Sequence, residues 1–163
     1  MEPSVETGRD AVTELILEIF RVNGSLLAAG DGLVEDLRLT SARWQVLGAI
    51  ALSPVPLPVA QLARNMGLSR QAVQRLANEM AADGLVRFAE NPHHQRAKLV
   101  LLTARGQESY DAAMARQGPW ARKLGKGLSI SEIKAANAVL RRIRQSLEDN
   151  SQSDARNELE KPV

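Results

Sequence analysis

Apolar residues near the start of the chain recur at alternating steps of three and four: Val12, Leu15, Ile19, Val22 and Leu26, with Ile16, Phe20 and Leu27 widening the stripe. That period predicts an amphipathic helix of about five turns from Thr7 to Ala29, and Gly30-Asp31-Gly32 is expected to end it. The same spacing returns near the other end in Ile133, Ala136, Leu140, Ile143 and Leu147. Ser129 and Glu132 form the S-x-x-E pattern of a capping box that starts this second helix. Between the two stripes, Thr103 is expected to cap a helix through Tyr110 and Met114. Gly118-Pro119 should kink or interrupt it, and Gly125 and Gly127 mark its end. The polar, mixed-charge segment after Asn150 reads as a disordered tail over 149–163.

The middle of the chain carries a different signal. In Val59 to Leu76, VAQLARNMGLSRQAVQRL, small and apolar residues fall where two short, steeply crossing helices need them. Ala63 is small enough for the crossing. Gly67 sits at the turn, where a positive φ angle is cheap for glycine. Val73 packs back from the second helix among Leu62, Met66, Leu68 and Leu76. Polar residues, Arg70, Gln71, Gln74, Arg75 and Asn78, are left on the opposite face. Asp83-Gly84 then closes the helix, Leu85-Val86-Arg87-Phe88 reads as a short strand, and Lys98 to Leu102 as its partner across a turn containing Asn91-Pro92. A helix-turn-helix followed by a two-stranded hairpin is a winged helix. Pro54, Pro56 and Pro58 read as a stiff connector into it, with Pro58 suited to a first helical turn.

At these residues the chain resembles the MarR family of bacterial transcription regulators. The likeness is carried by LTSARWQVLGAI (39–50), the helix-turn-helix, GLVRF (84–88), NPHHQRAKLVLLTARG (91–106) and the terminal helices, and spans roughly residues 7–148. Its most specific part is the wing with Leu102-Thr103 and Gly106 behind it. The resemblance implies a homodimer whose winged helices bind a pseudo-palindromic operator, and a repressor released by a small aromatic or phenolic ligand. One departure stands out. Where the family's wing commonly carries Asp-x-Arg, this chain has His94-Gln95-Arg96: the arginine is kept and the orienting carboxylate is not.

The implied architecture is mainly α with a small two-stranded wing. A DNA-binding domain spans 39–106, flanked by dimerisation helices over 7–38 and 107–148. The winged helix has a core of its own, so the two terminal stripes must be buried against each other, a partner, or both.

Composition fits this architecture. The chain has 163 residues, 44% hydrophobic and 25% charged, which suits one globular domain with added helices. There is no cysteine, so disulfides and thiolate metal sites are excluded. No apolar run reaches the roughly 20 residues that cross a bilayer, and a cytoplasmic location is expected. The net charge of +2 says little, but its distribution says more. Residues 1–40 carry eight acidic against three basic side chains, and residues 41–105 carry eight basic against three acidic. A positive winged-helix region is the expected footprint of DNA binding.

Among individual residues, Ser69 is expected to cap the recognition helix. Arg70, Gln71, Gln74 and Arg75 are the candidates for reading base edges in a major groove. Arg96 and Lys98 on the wing are placed for a minor groove or a phosphate. By resemblance, Arg43, Trp44 and Leu47 could line a pocket for an aromatic effector, although Trp44 is better suited to anchoring a core. His93 and His94 lack neighbouring ligands, so neither a metal nor a cofactor is expected. An enzyme is disfavoured, because no phosphate loop, nucleophile elbow or metal-spaced carboxylate cluster is present. The competing reading is a winged helix used for protein interaction or as an effector-blind architectural module, in keeping with the missing wing aspartate.

Overall fold

A computed structural model describes the backbone of residues 8–159 and the side chains of residues 8–150. Its elements in order are α1 (Gly8–Val34), α2 (Ser41–Ala51), β1 (Leu57–Pro58), α3 (Val59–Met66), α4 (Arg70–Ala82), β2 (Val86–Ala89), β3 (Leu99–Leu102), α5 (Ala104–Leu124) and α6 (Ile130–Leu159). A short 3₁₀ turn, Glu35–Leu37, follows α1. The expected helix start at Thr7 lies outside the described residues.

Helix α1 does not stop at Gly30-Asp31-Gly32; it continues through them to Val34. The reason is tertiary. The Ser41 hydroxyl donates to the Leu27 carbonyl at 2.7 Å, and the Ser41 N–H donates to the Asp31 carboxylate at 2.6 Å. A Cβ at position 30 would overlap that hydroxyl, so Gly30 is there for a close helix crossing rather than for a stop. Asp31 and Thr40, whose hydroxyl accepts from the Arg43 N–H, together satisfy the first donors of α2.

The core is aliphatic. Val34, Val46, Leu47, Leu62, Val73, Ala77, Met80, Val86 and Val100 are all but inaccessible to solvent, and they come from α1, α2, α3, α4 and the sheet. The turn between α3 and α4 is made as the sequence predicts: Gly67 adopts φ 65°, and Ala63 and Val73 are buried at the crossing. The sheet differs in one respect from the expected hairpin. It has three antiparallel strands in the order β1-β3-β2, because Leu57 and Pro58 pair with Val100 and Leu99. Pro58 therefore sits on an edge strand and caps α3 instead of occupying its first turn, a place where its missing N–H costs nothing.

Behind the wing, Thr103 and Gly106 join the sheet to α5. The Thr103 hydroxyl accepts from the Gly106 N–H at 3.0 Å and donates to the Gly84 carbonyl at 2.6 Å, tying the start of α5 to the end of α4. A Cβ on Gly106 would overlap the backbone carbonyl of Leu85, which cannot swing aside. Gly106→Ala is therefore expected to destabilise the fold by about 1–3 kcal/mol, as overpacking of a rigid contact does. An unchanged urea midpoint would refute this.

Of the kink or interruption expected at Gly118-Pro119, the interruption does not occur: the helix runs unbroken to Leu124. Pro119 and Ala115, one turn apart, are both exposed, so water can serve the carbonyl that loses its helical partner. Earlier in α5, Arg116 forms a two-pronged ion pair with Asp36 and donates to the Leu33 carbonyl at 3.3 Å. The hydrogen bond from Arg116 holds the Asp36 carboxyl below the ordinary carboxylate range. A carboxylate depressed in the folded state contributes stability above its unfolded pKa and loses it as pH falls through the folded one. Asp36→Asn is accordingly expected to flatten the decline in melting temperature below about pH 4. An identical acid limb in variant and parent would contradict it.

The chain divides into two compact units after Trp120. In the second, the capping box is formed: the Ser129 N–H donates to Glu132 at 2.7 Å and the Glu132 N–H to Ser129 Oγ at 3.2 Å. The Ser129 hydroxyl also donates to the Glu132 carboxylate at 2.6 Å, and this bond, with that from the Ser129 N–H, holds the carboxyl below its ordinary range. Helix α6 continues to Leu159, so the backbone of 151–159 is helical where the sequence predicts a disordered tail; no Gly or Pro intervenes before Pro162. Among the described residues, no helix is long and apolar enough to cross a membrane, and no group of three or more His, Cys, Asp or Glu could hold a metal ion.

Candidate nucleic-acid interface

Helix α4 is oriented by its two faces. Val73, Ala77 and Met80 are buried, while Arg70, Gln71, Arg75 and Asn78 are exposed and Gln74 is half-buried. Ser69 has extended backbone angles, and its hydroxyl accepts from the Ala72 N–H at 3.1 Å, which is the N-cap role expected of it. The Asp83 N–H returns to Glu79 and the Gly84 N–H to Ala81, with Gly84 at φ 72° closing the helix. Both ends of α4 are thus fixed by local bonds, and its polar face projects outward.

The wing is held by an amide. Asn91 Oδ1 accepts from the His93 N–H at 3.0 Å, and Asn91 Nδ2 donates to the Ala97 carbonyl at 3.0 Å. Two backbone bonds, from His94 to Asn91 and from Ala97 to His94, complete the tip. Asn91 therefore spans the loop at its base and sets its shape without the carboxylate that the family's wing commonly has. Sequence reasoning marked Asn91-Pro92 only as a turn; the capacity of Asn to bond its own loop was the available signal.

Helix and wing face each other across a groove of about 320 Å³. Pro58, Val59, Ala60, Phe88 and Ala97 contribute its apolar lining, and Arg70, Gln74, Asn78, Arg96 and Lys98 its polar one. Four of the residues singled out from sequence, two from the helix and two from the wing, thus converge on one cleft. Gln71 and Arg75 do not line it, although both are exposed on α4. Asn78 is a member that the sequence reading left out of the site. It stands one turn from Gln74 and accepts a hydrogen bond from it at 3.0 Å. Three cations and two amides around an apolar floor suit a phosphodiester backbone with its sugars and base edges.

The three residues considered for an effector pocket meet different neighbours. Arg43 is engaged with Asp83 at 2.7 Å and Glu79 at 3.6 Å. Leu47 is fully buried in the core, and Trp44 is half-buried against it beside Gly30.

Comparison with known proteins agrees with this geometry. A family model described as the MarR family matches residues 39–97. An uncharacterised protein of Mycobacterium tuberculosis is 31% identical over 134 residues, covering 82% of this chain and 92% of that one. Among solved structures, an E. coli MarR variant complexed with operator DNA superposes with a TM-score of 0.73 at 21% identity, covering 84% of this chain and 98% of that chain. CouR of Rhodococcus jostii, bound to p-coumaroyl-CoA, superposes with a TM-score of 0.72 at 23% identity, over 80% of this chain and 91% of that chain. These two likenesses establish the winged-helix fold. With a helix-turn-helix, a basic groove beside a wing and a family model over the same residues, the chain belongs to the MarR family of DNA-binding transcription regulators and is not an enzyme.

Proposed function

We propose that this chain acts in the cytoplasm as a homodimeric repressor that occupies a pseudo-palindromic operator. Each protomer lays α4 in a major groove, where Arg70, Gln71, Gln74 and Arg75 read base edges, with Ser69 at the helix start. Arg96 enters the adjoining minor groove, and Lys98 meets a phosphate. The observation that carries this reading is the convergence of Arg70 and Gln74 with Arg96 and Lys98 on one cleft. Dimerisation is supported by apolar side chains left exposed on α1 and α6: Val12, Ile16, Leu17 and Phe20 on the first, Ile133, Val139, Leu140 and Leu147 on the second. Surfaces of that kind mark contact with another chain. A twofold dimer also places two recognition helices about 34 Å apart, one turn of DNA.

Release by an aromatic or phenolic ligand is the second part of the proposal, supported by the p-coumaroyl-CoA bound to CouR, a protein of the same fold. Trp44 is the aromatic side chain offered for it.

Selection of random duplex DNA with the purified protein tests the first part. The expected product is a palindromic consensus bound about 10³-fold or more above random duplex at equal salt. Equal affinity for both would favour an architectural or protein-binding module. Repression is read from a reporter carrying the selected site, and ligand release from a panel of phenolic acids and their thioesters.

A further inference from the structure

The buried face and the end caps of α4 set its rotation, and the charges around its last turn act on the side chains it presents outward. Two cations from other helices reach its C-terminal end: Arg105 of α5 donates to the Asp83 carbonyl at 2.8 Å, and the side-chain carboxylates there are met by Arg43 of α2. Its side chain is 21% exposed, and it donates to Asp83 Oδ2 at 2.7 Å while standing 3.6 Å from Glu79 Oε2. Glu79 is shared: its other oxygen lies 3.9 Å from Arg75 Nε, one turn back on the outward face. Arg43 thus meets two carboxylates of α4, and one of them meets a candidate base-reading arginine.

We propose that Arg43 is a positioning residue for DNA recognition. Anchored by Asp83, it engages Glu79 and so weakens that carboxylate's hold on Arg75, which can then face DNA. Without Arg43, the cationic partner left to Glu79 among the described residues is Arg75. The carboxylate would hold that guanidinium back along the helix and cancel a positive charge otherwise offered to the phosphates. The inference rests on the reading of α4 given under Proposed function, and it assigns Arg43 a role distinct from lining an effector pocket.

The test measures affinities of the full chain and its variants for a duplex selected by the parent protein and for an unrelated duplex at the same salt. Arg43→Gln is expected to weaken binding to the selected duplex about tenfold, while the unrelated duplex changes less than about threefold. Adding Glu79→Gln to Arg43→Gln should restore most of the lost preference, a rescue that a purely structural role would not give. Arg43→Lys should fall between parent and Arg43→Gln, because one ammonium cannot span both carboxylates, and it reads the same link should Arg43→Gln fail to fold. Equal losses on both duplexes, or no rescue by Glu79→Gln, would overturn the proposal. A parent protein that shows no preference for any duplex sinks the reading of α4 itself, and this inference with it.

Discussion

Phe20→Asp is expected to give a folded monomer that no longer holds its operator. Phe20 is 69% exposed on α1, with Ile16 (41%) one turn before it and Leu27 (38%) two turns after it on the same side of the helix. None of these side chains belongs to the core, so a carboxylate at position 20 leaves the winged helix intact. In a dimer the same position would be buried against the partner, where an unpaired charge is costly. Losing the second recognition helix removes the avidity of two linked half-sites, roughly 10²- to 10⁴-fold in affinity. Sedimentation should report half the parent's mass, circular dichroism an unchanged helical content, and gel shift the lost complex. A variant that remains dimeric and binds normally would remove α1 from the interface.

The second large effect is expected at Arg70. It is the first residue of α4, with no acidic residue in that turn, so its charge opposes the positive end of the helix dipole. A cation at an unfavourable place, exposed and lining the groove, adds little to stability and fits the DNA-reading role proposed for it. Arg70→Ala should therefore leave the melting temperature unchanged or slightly raised. Operator binding should fall by about 1–3 kcal/mol per half-site. A twofold complex counts that twice, about 2–6 kcal/mol, or an affinity loss from about 30-fold to about 10⁴-fold. Preference at one base position in each half-site should relax with it. A proportional loss on random duplex would instead assign Arg70 to the phosphate backbone.

What could be read from sequence was what local chemistry decides. Gly67 at its left-handed turn, Ser69 and Thr103 as caps, and the Ser129–Glu132 box all depend on neighbours within a few residues, and all stand where the sequence placed them. The misreadings came from residues whose partners are distant in the chain. Gly30 looked like a helix stop because Ser41, which needs its missing Cβ, could not be seen beside it. Pro119 looked like a break because its exposure was unknown. The strand at Leu57–Pro58 is two residues long, and its hydrogen-bonding partner lies some forty positions later. Arg43 offered a charge near a tryptophan; only the fold reveals that Asp83 and Glu79 claim it. Within the groove, Arg70, Gln74, Arg96 and Lys98 were legible as polar residues on exposed elements, whereas Asn78 was seen on that face but not counted toward the site.

The amide bracing of Asn91 has an evolutionary corollary. Because the loop's curvature is set from its base by a neutral side chain, His93, His94 and Gln95 are relieved of any architectural duty. Those three positions can drift toward new target preferences one substitution at a time without unfolding the hairpin that carries them. A change at Asn91 itself would alter the reach of the whole tip at once.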